Sequence, residues 1–527
     1  MPKAIHPDTK KIDLDGKTML PGFIDSHTHP VVSAFIHGTV DLSGFKHRSK
    51  EELWSHFEES ISKYKPGEWI LCSGLDQVLV PGLETPHISY LDSIAPKNPV
   101  LIASQSLHSY WANALAFRAA GVNRNTPNPG VSSYYGKDKN GDLNGYIAEQ
   151  EAFDPFKEAV IQALGNQVLK EKSVAVLEDY AKNGYSSITS MGITTSDKNV
   201  IRLYKHLSCE NPAFIDQLLT VFRILPKRKP IVRNFVFVRY DATHLLPTSV
   251  NNGDDFFKIL GVKLWYDGSP YTGSMYLESP YLNSDLTNKK HLTPFNHSGK
   301  ALITQEELES YIANYQNAGW QIAIHTQGDI AIKEVLESFG KVANDKVETD
   351  HRHRLEHCLL LQEGSMQLMA ELNIHPSFHI NHLYYYGEAL ASKIIGKERA
   401  HQVLPIKKAD EHSLIYSIHA DQPMFPSEPL SLLHSAVNRK TKEGKVMGGH
   451  NAISVEQGLK ALTIHAAWQL KMEDKIGSIK KGKYADLVIL DQDPLTAPTA
   501  ELRNIKVMQT IVNGNTAFIH PSLIQAR

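Results

Sequence analysis

Cysteine is scarce: Cys72, Cys209 and Cys358 are the only three in 527 residues, and they lie far apart. That excludes a disulfide framework and fits a reducing, cytoplasmic setting. No apolar run approaches the roughly eighteen residues of a transmembrane helix. The opening Met-Pro-Lys-Ala-Ile-His lacks the apolar core of a secretion signal. Surplus charge is lacking too, with a formal net charge of −2, a pI near 7.0 and no basic tract. This argues against nucleic-acid and membrane-surface partners and leaves a small molecule as the expected ligand, with a homodimer left open. There is no internal repeat, no low-complexity tract, no His-Glu-x-x-His, no Gly-x-Ser-x-Gly and no paired Cys-x-x-Cys. Gly477 to Tyr484 imitates a phosphate loop, but Tyr484 stands where Ser or Thr must reach Mg²⁺, and a strand follows instead of a helix.

What is present suits a large soluble fold. Apolar content is 42% and charged content 21%, enough for a sizeable core. The length exceeds one average domain, so either a large α/β barrel with additions or two domains is expected. Histidine is abundant, at 26, and much of that excess lies at the ends of candidate strands.

The most informative stretch is Leu20-Pro-Gly-Phe-Ile-Asp-Ser-His-Thr-His-Pro30. A short apolar strand, entered through Pro21-Gly22, stops on two histidines one residue apart. In an extended backbone i and i+2 share a face, so His27 and His29 can grip one cation. Pro30 then ends the ladder.

Residues 1–18 are short, polar and turn-rich. From about 45 to 180 the chain departs from simple alternation. Glu51–Lys63 and Asn113–Gly121 read as helices and Trp69–Leu75 as a strand, with loop signals at Thr126–Gly130 and Lys137–Asp142. We take this segment as a large insertion after the first strand. A regular strand–helix alternation follows, with strands expected at Tyr185–Met191, Gln217–Leu225, Phe257–Tyr266, Gln321–His325, Arg354–His357, Ile374–His379 and Leu414–His419. With the strand before His27 that makes eight, the count of a (β/α)8 barrel whose site lies at the C-terminal strand ends. The roughly 390 residues from His27 to Asp421 exceed a typical barrel of about 250, and the insertion accounts for the surplus. Helices are expected at Pro429–Val437 and Val455–Lys471, then short strands in Ala485–Leu490 and Lys506–Asn513, part of a small β domain.

The polar residues ending these strands converge on one chemistry. Strand one offers His27 and His29, strand four Lys263, strand five His325, strand six His357, and strand eight Asp421. Four imidazoles, a carboxylate and a lysine would then face one barrel mouth, and imidazole with carboxylate suits Zn²⁺, Mn²⁺ or Fe²⁺. A plain ammonium repels cations, so Lys263 can ligate only if modified or deprotonated; otherwise it would pair with Asp267 or Glu149.

Pro21-Gly-Phe-Ile-Asp-Ser-His-Thr-His-Pro30 resembles the opening signature of the metal-dependent amidohydrolase superfamily. More narrowly the chain resembles the subgroup (amidohydrolase family 3) that includes the N-substituted formamide deformylases. The matching stretches are His108–Asn113, Lys263–Ser269, His325–Ala331, Arg352–His357, Ser417–Pro423 and Gly477–Leu487. The resemblance implies a distorted (β/α)8 TIM barrel over 19–474 with a small β-sandwich domain from 1–18 and 475–527. Only twenty-six residues precede His27, fewer than the family carries, so the sandwich is expected to be N-terminally incomplete, and a lost start could have held an export signal. The resemblance also implies one or two divalent metal ions, Zn²⁺ foremost, held by His27, His29, Lys263, His325, His357 and Asp421. Carboxylation of Lys263 by CO2 would let it bridge two of them. It implies hydrolysis of a non-peptide, amide-like C–N bond of a small organic substrate by metal-activated hydroxide, with Asp421 as proton shuttle. His108, with Trp111 and Asn113, and Glu149 match positions near the pocket, and His379 and His382, followed by Tyr384, Tyr385 and Tyr386, could line it. Asp25, Asp329 and Glu356 are near enough to support a ligand histidine, though each could instead cap a helix or pair on the surface. Two alternatives remain: a deaminase of the same superfamily, disfavoured by Lys263, and a catalytically silent regulatory protein on the same scaffold, disfavoured by the complete ligand set.

Overall fold

The computed structural model describes residues 11–130, 133–193, 198–210, 212–226, 231–250, 252–286, 297–342 and 350–524. Eight strands make one parallel sheet: β1 Phe23–Thr28, β2 Tyr185–Ile193, β3 Arg233–Arg239, β4 Phe257–Trp265, β5 Gln321–Thr326, β6 Arg354–His357, β7 His375–His379 and β8 Ser417–His419. They lie in strict sequence order from β8 to β1. Both faces are covered, so the strands carry nearly continuous apolar runs such as Ile322-Ala323-Ile324. The two edges of the sheet meet where the His29 N–H donates to the Gln422 carbonyl at 2.8 Å and the Thr28 hydroxyl to the same oxygen at 3.2 Å. The sheet is thereby nearly closed into a barrel, and all eight C-terminal ends share one rim. At the opposite end Gln469 plugs the interior. Its amide donates to the Pro376 and Ile415 carbonyls at 3.0 Å and accepts from the Ser417 hydroxyl at 2.7 Å.

One expected strand is corrected. Gln217–Leu225 is not a strand: Phe214–Val221 is a helix on the outside, and the third barrel strand is Arg233–Arg239. A short apolar run does not declare its own period. Gln217, Leu218 and Leu219 favour helix, whereas Phe235-Val-Phe-Val238 is the β-branched and aromatic run that fits a wholly buried strand. The expected helix Val455–Lys471 is two, Val455–Ala461 and Ile464–Gln469, the first begun by a reciprocal box between Ser454 and Gln457.

The insertion builds a sheet of its own. Six strands run in the order Val40–Asp41, Ile70–Leu75, Val100–Ser104, Ser109–Ala112, Leu143–Ala148, Tyr134–Lys137, with parallel and antiparallel pairings mixed. The long helix Glu149–Lys182 then leads back to β2, broken at Gly165 where φ is 76°. The small β domain is a four-stranded antiparallel sheet of Thr18–Pro21, Leu487–Leu490, Val507–Val512 and Asn515–Ile519. Residues 1–10, assigned to this domain from sequence, lie outside the described residues. Its last hairpin turns on Asn513 and Gly514, both with positive φ, the pattern a two-residue turn demands.

A buried ion pair fastens this sheet to the barrel. Arg233, opening β3, meets Asp486 through Nε–Oδ2 at 2.6 Å and Nη2–Oδ1 at 3.0 Å, with its guanidinium lying over the rings of Phe256 and Tyr484. Asp486→Ala strands a buried guanidinium and should cost about 3–5 kcal/mol, read as a lowered denaturation midpoint. An unchanged midpoint would show that the pair is not what couples the two sheets.

Candidate metal centre

The polar residues that end β1, β4, β5, β6 and the turn after β8 meet at the rim. Asp421 lies between the histidines. Its Oδ1 is 3.0 Å from His29 Nε2 and 3.3 Å from His27 Nε2, and its Oδ2 is 3.9 Å from His357 Nδ1 and from His379 Nδ1. The His325 and His357 rings are 4.3 Å apart, and those of His27 and His357 4.8 Å. Lys263 is wholly buried with no hydrogen-bond partner for Nζ, its ammonium 5.2 Å over the Trp265 ring. The pairing of Lys263 with Asp267 or Glu149 is not formed. Asp267 is occupied by the backbone N–H groups of Tyr276, Gln327 and Gly328 at 2.9–3.0 Å, and Glu149 by His108.

The electrostatics favour ligand forms. Burial pushes His325 and His357 well below the ordinary imidazole range, the Lys263 charge adding to it, and lowers His27 in the same way. Burial likewise brings Lys263 down to about 8. Burial alone would raise Asp421, but the imidazoles of His27 and His29 beside it reverse that and hold it well below the usual carboxylate range.

The orientation of His27 is the most telling feature. Its Nδ1–H donates to Glu356 Oε2 at 2.6 Å, which leaves the Nε2 lone pair facing the Asp421 oxygen. Both of those atoms are buried without a hydrogen-bond partner. Two electron-rich atoms turned toward each other in a dry site fit a cation, and the donor set of imidazole and carboxylate is that of a divalent metal. His27, His29 and Asp421 are one cluster with metal-binding spacing, and His357, His379 and His419 another.

Backbone strain collects here as well. Leu107, Glu149, His357, Cys358 and Asp421 all have φ between 50° and 72°, a left-handed region that side-chain-bearing residues rarely enter unless packing enforces it.

Of the three supporting candidates, Glu356 orients His27 and is itself held by Arg354, with Nε–Oε1 at 2.9 Å and Nη2–Oε2 at 3.0 Å. Asp25 instead accepts the His27 backbone N–H and the Ser427 hydroxyl, and Asp329 accepts the Glu278 N–H away from the cluster. His108 Nδ1 and Glu149 Oε2 pair at 2.8 Å, and their side chains are 27% and 32% exposed, among the more open groups of the site. His382 is buried, Nδ1 meeting the Tyr271 hydroxyl at 2.6 Å and Nε2 the Gln327 amide at 3.2 Å. Tyr384 bonds to Arg503, Tyr385 stacks on Phe425 and Tyr386 reaches Asp76 of the insertion. Sequence reasoning missed His419, Arg354 and Tyr271. His419 could have been noticed as a strand-end histidine two residues before Asp421; Arg354 and Tyr271 gave no local signal.

A nearly closed eight-stranded barrel with histidines and an aspartate gathered on its C-terminal rim is the architecture of a barrel enzyme whose rim carries donors suited to a divalent cation. The comparisons agree: the model of the amidohydrolase family matches residues 10–518, and the chain belongs to that family. It is 26% identical to an N-substituted formamide deformylase of Arthrobacter pascens over 97% of this chain and 90% of that one. It is 27% identical to the protein LONG AFTER FAR-RED 3 of Arabidopsis thaliana, over 98% and 84%. Among solved structures, an uncharacterised metal-dependent hydrolase of Pyrococcus horikoshii superposes with a TM-score of 0.69 at 23% identity, covering 93% of this chain and 89% of that one. No helix among the described residues is long and apolar enough to cross a membrane.

Proposed function

We propose that the protein hydrolyses an amide-like C–N bond of a small organic molecule, an N-formyl or N-acyl amine, at a divalent cation, Zn²⁺ foremost. The reading is carried by the His27 lone pair and the Asp421 carboxylate facing each other without a hydrogen at 3.3 Å; the formamide-cleaving relative from Arthrobacter supports the substrate class. His27, His29 and Asp421 would hold the cation, with His325, His357 and Lys263 completing the set. A divalent cation held there polarises a carbonyl and supplies hydroxide at neutral pH.

The chain's own groups do the rest. Asp421, ionised, takes the proton released as oxygen adds to the carbonyl carbon and returns it to the amine nitrogen as the C–N bond breaks. Glu356 fixes the His27 ring so that Nε2 keeps its lone pair. The paired His108 and Glu149, partly open to solvent, orient the substrate, and Tyr271 and Gln327 hold His382 in the pocket wall. Burial would lower His108, but Glu149 beside it, and Asp421, raise it above the ordinary value. His108 therefore keeps its proton up to and somewhat beyond pH 6.5 and loses it as pH climbs through the raised value. His108→Ala should raise KM more than it lowers kcat, and the KM difference from the parent should shrink above that pH. A pH-independent ratio would remove His108 from substrate contact.

Lys263 carries a separate expectation. With its ammonium brought down to about 8, a useful fraction is neutral amine near neutral pH. That amine adds to the carbon of CO2 and releases one proton, giving a carbamate of negative charge. Protein equilibrated with ¹³C-bicarbonate should show a carbamate carbon resonance that Lys263→Met lacks; identical spectra would refute the modification.

The function as a whole is tested by incubating the zinc-loaded protein with N-substituted formamides, N-acyl amines and cyclic amides. Release of the amine, abolished by a chelator and restored by Zn²⁺, is expected. A panel without turnover, or turnover indifferent to chelation, would overturn the reading. A deaminase would instead release ammonia from an amino-substituted ring, and a silent scaffold would give no product at all.

A further inference from the structure

The six groups above leave two buried imidazoles unused. His379 ends β7 and His419 ends β8, both fully buried. Neither ring nitrogen of either residue has a hydrogen-bond partner. A histidine kept for packing alone would be a poor choice, because an imidazole out of water needs its donor and acceptor satisfied. Three other buried histidines of this chain meet that demand. His353 accepts the Ile322 N–H and meets Gln316, His375 accepts the Ile415 N–H and meets Asn373, and His382 is satisfied by Tyr271 and Gln327. Among the described residues, His379 and His419 are the histidines with both ring nitrogens buried and unpartnered, and they lie beside each other at the mouth of the barrel.

Their neighbour is His357. Ligand nitrogens of His357, His379 and His419 lie within 4.8 Å of one another. The ring centroids form a near-equilateral set, His379–His419 5.0 Å, His357–His419 5.2 Å and His357–His379 5.5 Å. Three imidazoles holding one tetrahedral Zn²⁺ at 2.0–2.1 Å bring their nitrogens to about 3.4 Å apart, so the trio needs only a modest closing of the rings. An acidic oxygen is in place as a fourth donor, since Asp421 Oδ2 is 3.9 Å from both His357 Nδ1 and His379 Nδ1. The alternative grouping of His419 with His27 and Glu356 is weaker, because His27 Nδ1 and Glu356 are already bonded to each other.

We propose that His357, His379 and His419, with Asp421 Oδ2, form a further cation position on the β6–β8 side of the rim, selective for a borderline divalent ion such as Zn²⁺ and independent of Lys263. Asp421 would then present one oxygen to the His27–His29 side and the other to this side. The inference extends the proposed function, sharing His357 and Asp421 with it, but adds a site that function does not require.

The test counts bound metal and does not depend on turnover. Protein stripped with a chelator is refilled with ZnSO4, dialysed, and its zinc measured by plasma mass spectrometry. His379→Ala and His419→Ala are each expected to bind one equivalent fewer than the parent. Adding His419→Ala to Lys263→Met should likewise remove one equivalent relative to Lys263→Met alone. A zinc-soaked crystal of the parent should show anomalous density among the three rings, which decides the matter even if the alanine variants fail to fold. Folded variants with the parent's stoichiometry, or density on the His27–His29 side with none among His357, His379 and His419, overturn the proposal and leave the proposed function standing. A parent that binds no zinc overturns both.

Discussion

Asp421→Asn should lower kcat by roughly 10²- to 10⁴-fold, the span by which a positioned proton-transfer group accelerates a reaction. The substitution is chosen for its backbone. Asp421 has φ of 58°, and asparagine is among the few residues that enter this region readily, so the turn after β8 is retained. Volume is also preserved, while the negative charge between His27, His29, His357 and His379 is removed. Part of the loss would come from weaker cation binding, so kcat is compared at saturating Zn²⁺ with metal content measured on the same sample. Full activity with the cation still bound would remove Asp421 from proton transfer.

Glu356→Gln is expected to lower zinc affinity 10- to 100-fold, the usual effect of removing the partner that orients a ligand histidine. Glu356→Ala should be worse, costing about 3–5 kcal/mol of stability, because it leaves the Arg354 guanidinium buried without its counter-charge. Both residues have side chains with no solvent exposure, so screening by water does not soften the effect. The pH dependence has a definite sign. Burial alone would raise the Glu356 carboxyl, yet Arg354 and His27 pull it well below the usual range. A depressed carboxylate stabilises fully above its unfolded pKa of about 4.3, and that contribution fades as pH falls from there toward the depressed folded value. The stability gap between parent and Glu356→Gln should therefore be constant from about pH 5 to neutrality and narrow on acidification. A gap that widened in acid would contradict the pairing.

Much of this site was legible in the chain because its parts are local. His27 and His29 at i and i+2 on a strand end share a face whatever the rest of the protein does, and strand-terminal His325, His357 and Asp421 point to one rim once the parallel barrel is granted. Legibility failed where the local code is degenerate. Leu218 to Leu225 is as apolar as a core strand, yet Val221, ending an outer helix, and Phe222 just after it are 70–75% exposed, and apolar content alone does not say so. The insertion was recognised as an interruption, but that its short strands join into one sheet depends on long-range pairing.

What the sequence determined by itself is which chemical groups stand at the ends of which strands, since side-chain alternation and apolar runs are properties of neighbours along the chain. Which groups then meet was decided only by closure of the barrel. It turned the His27 ring onto Glu356, buried Lys263 Nζ without a hydrogen-bond partner, and drew His379 and His419 beside His357. Those contacts join residues tens to hundreds of positions apart, and only packing can choose among the many partners that such distances allow.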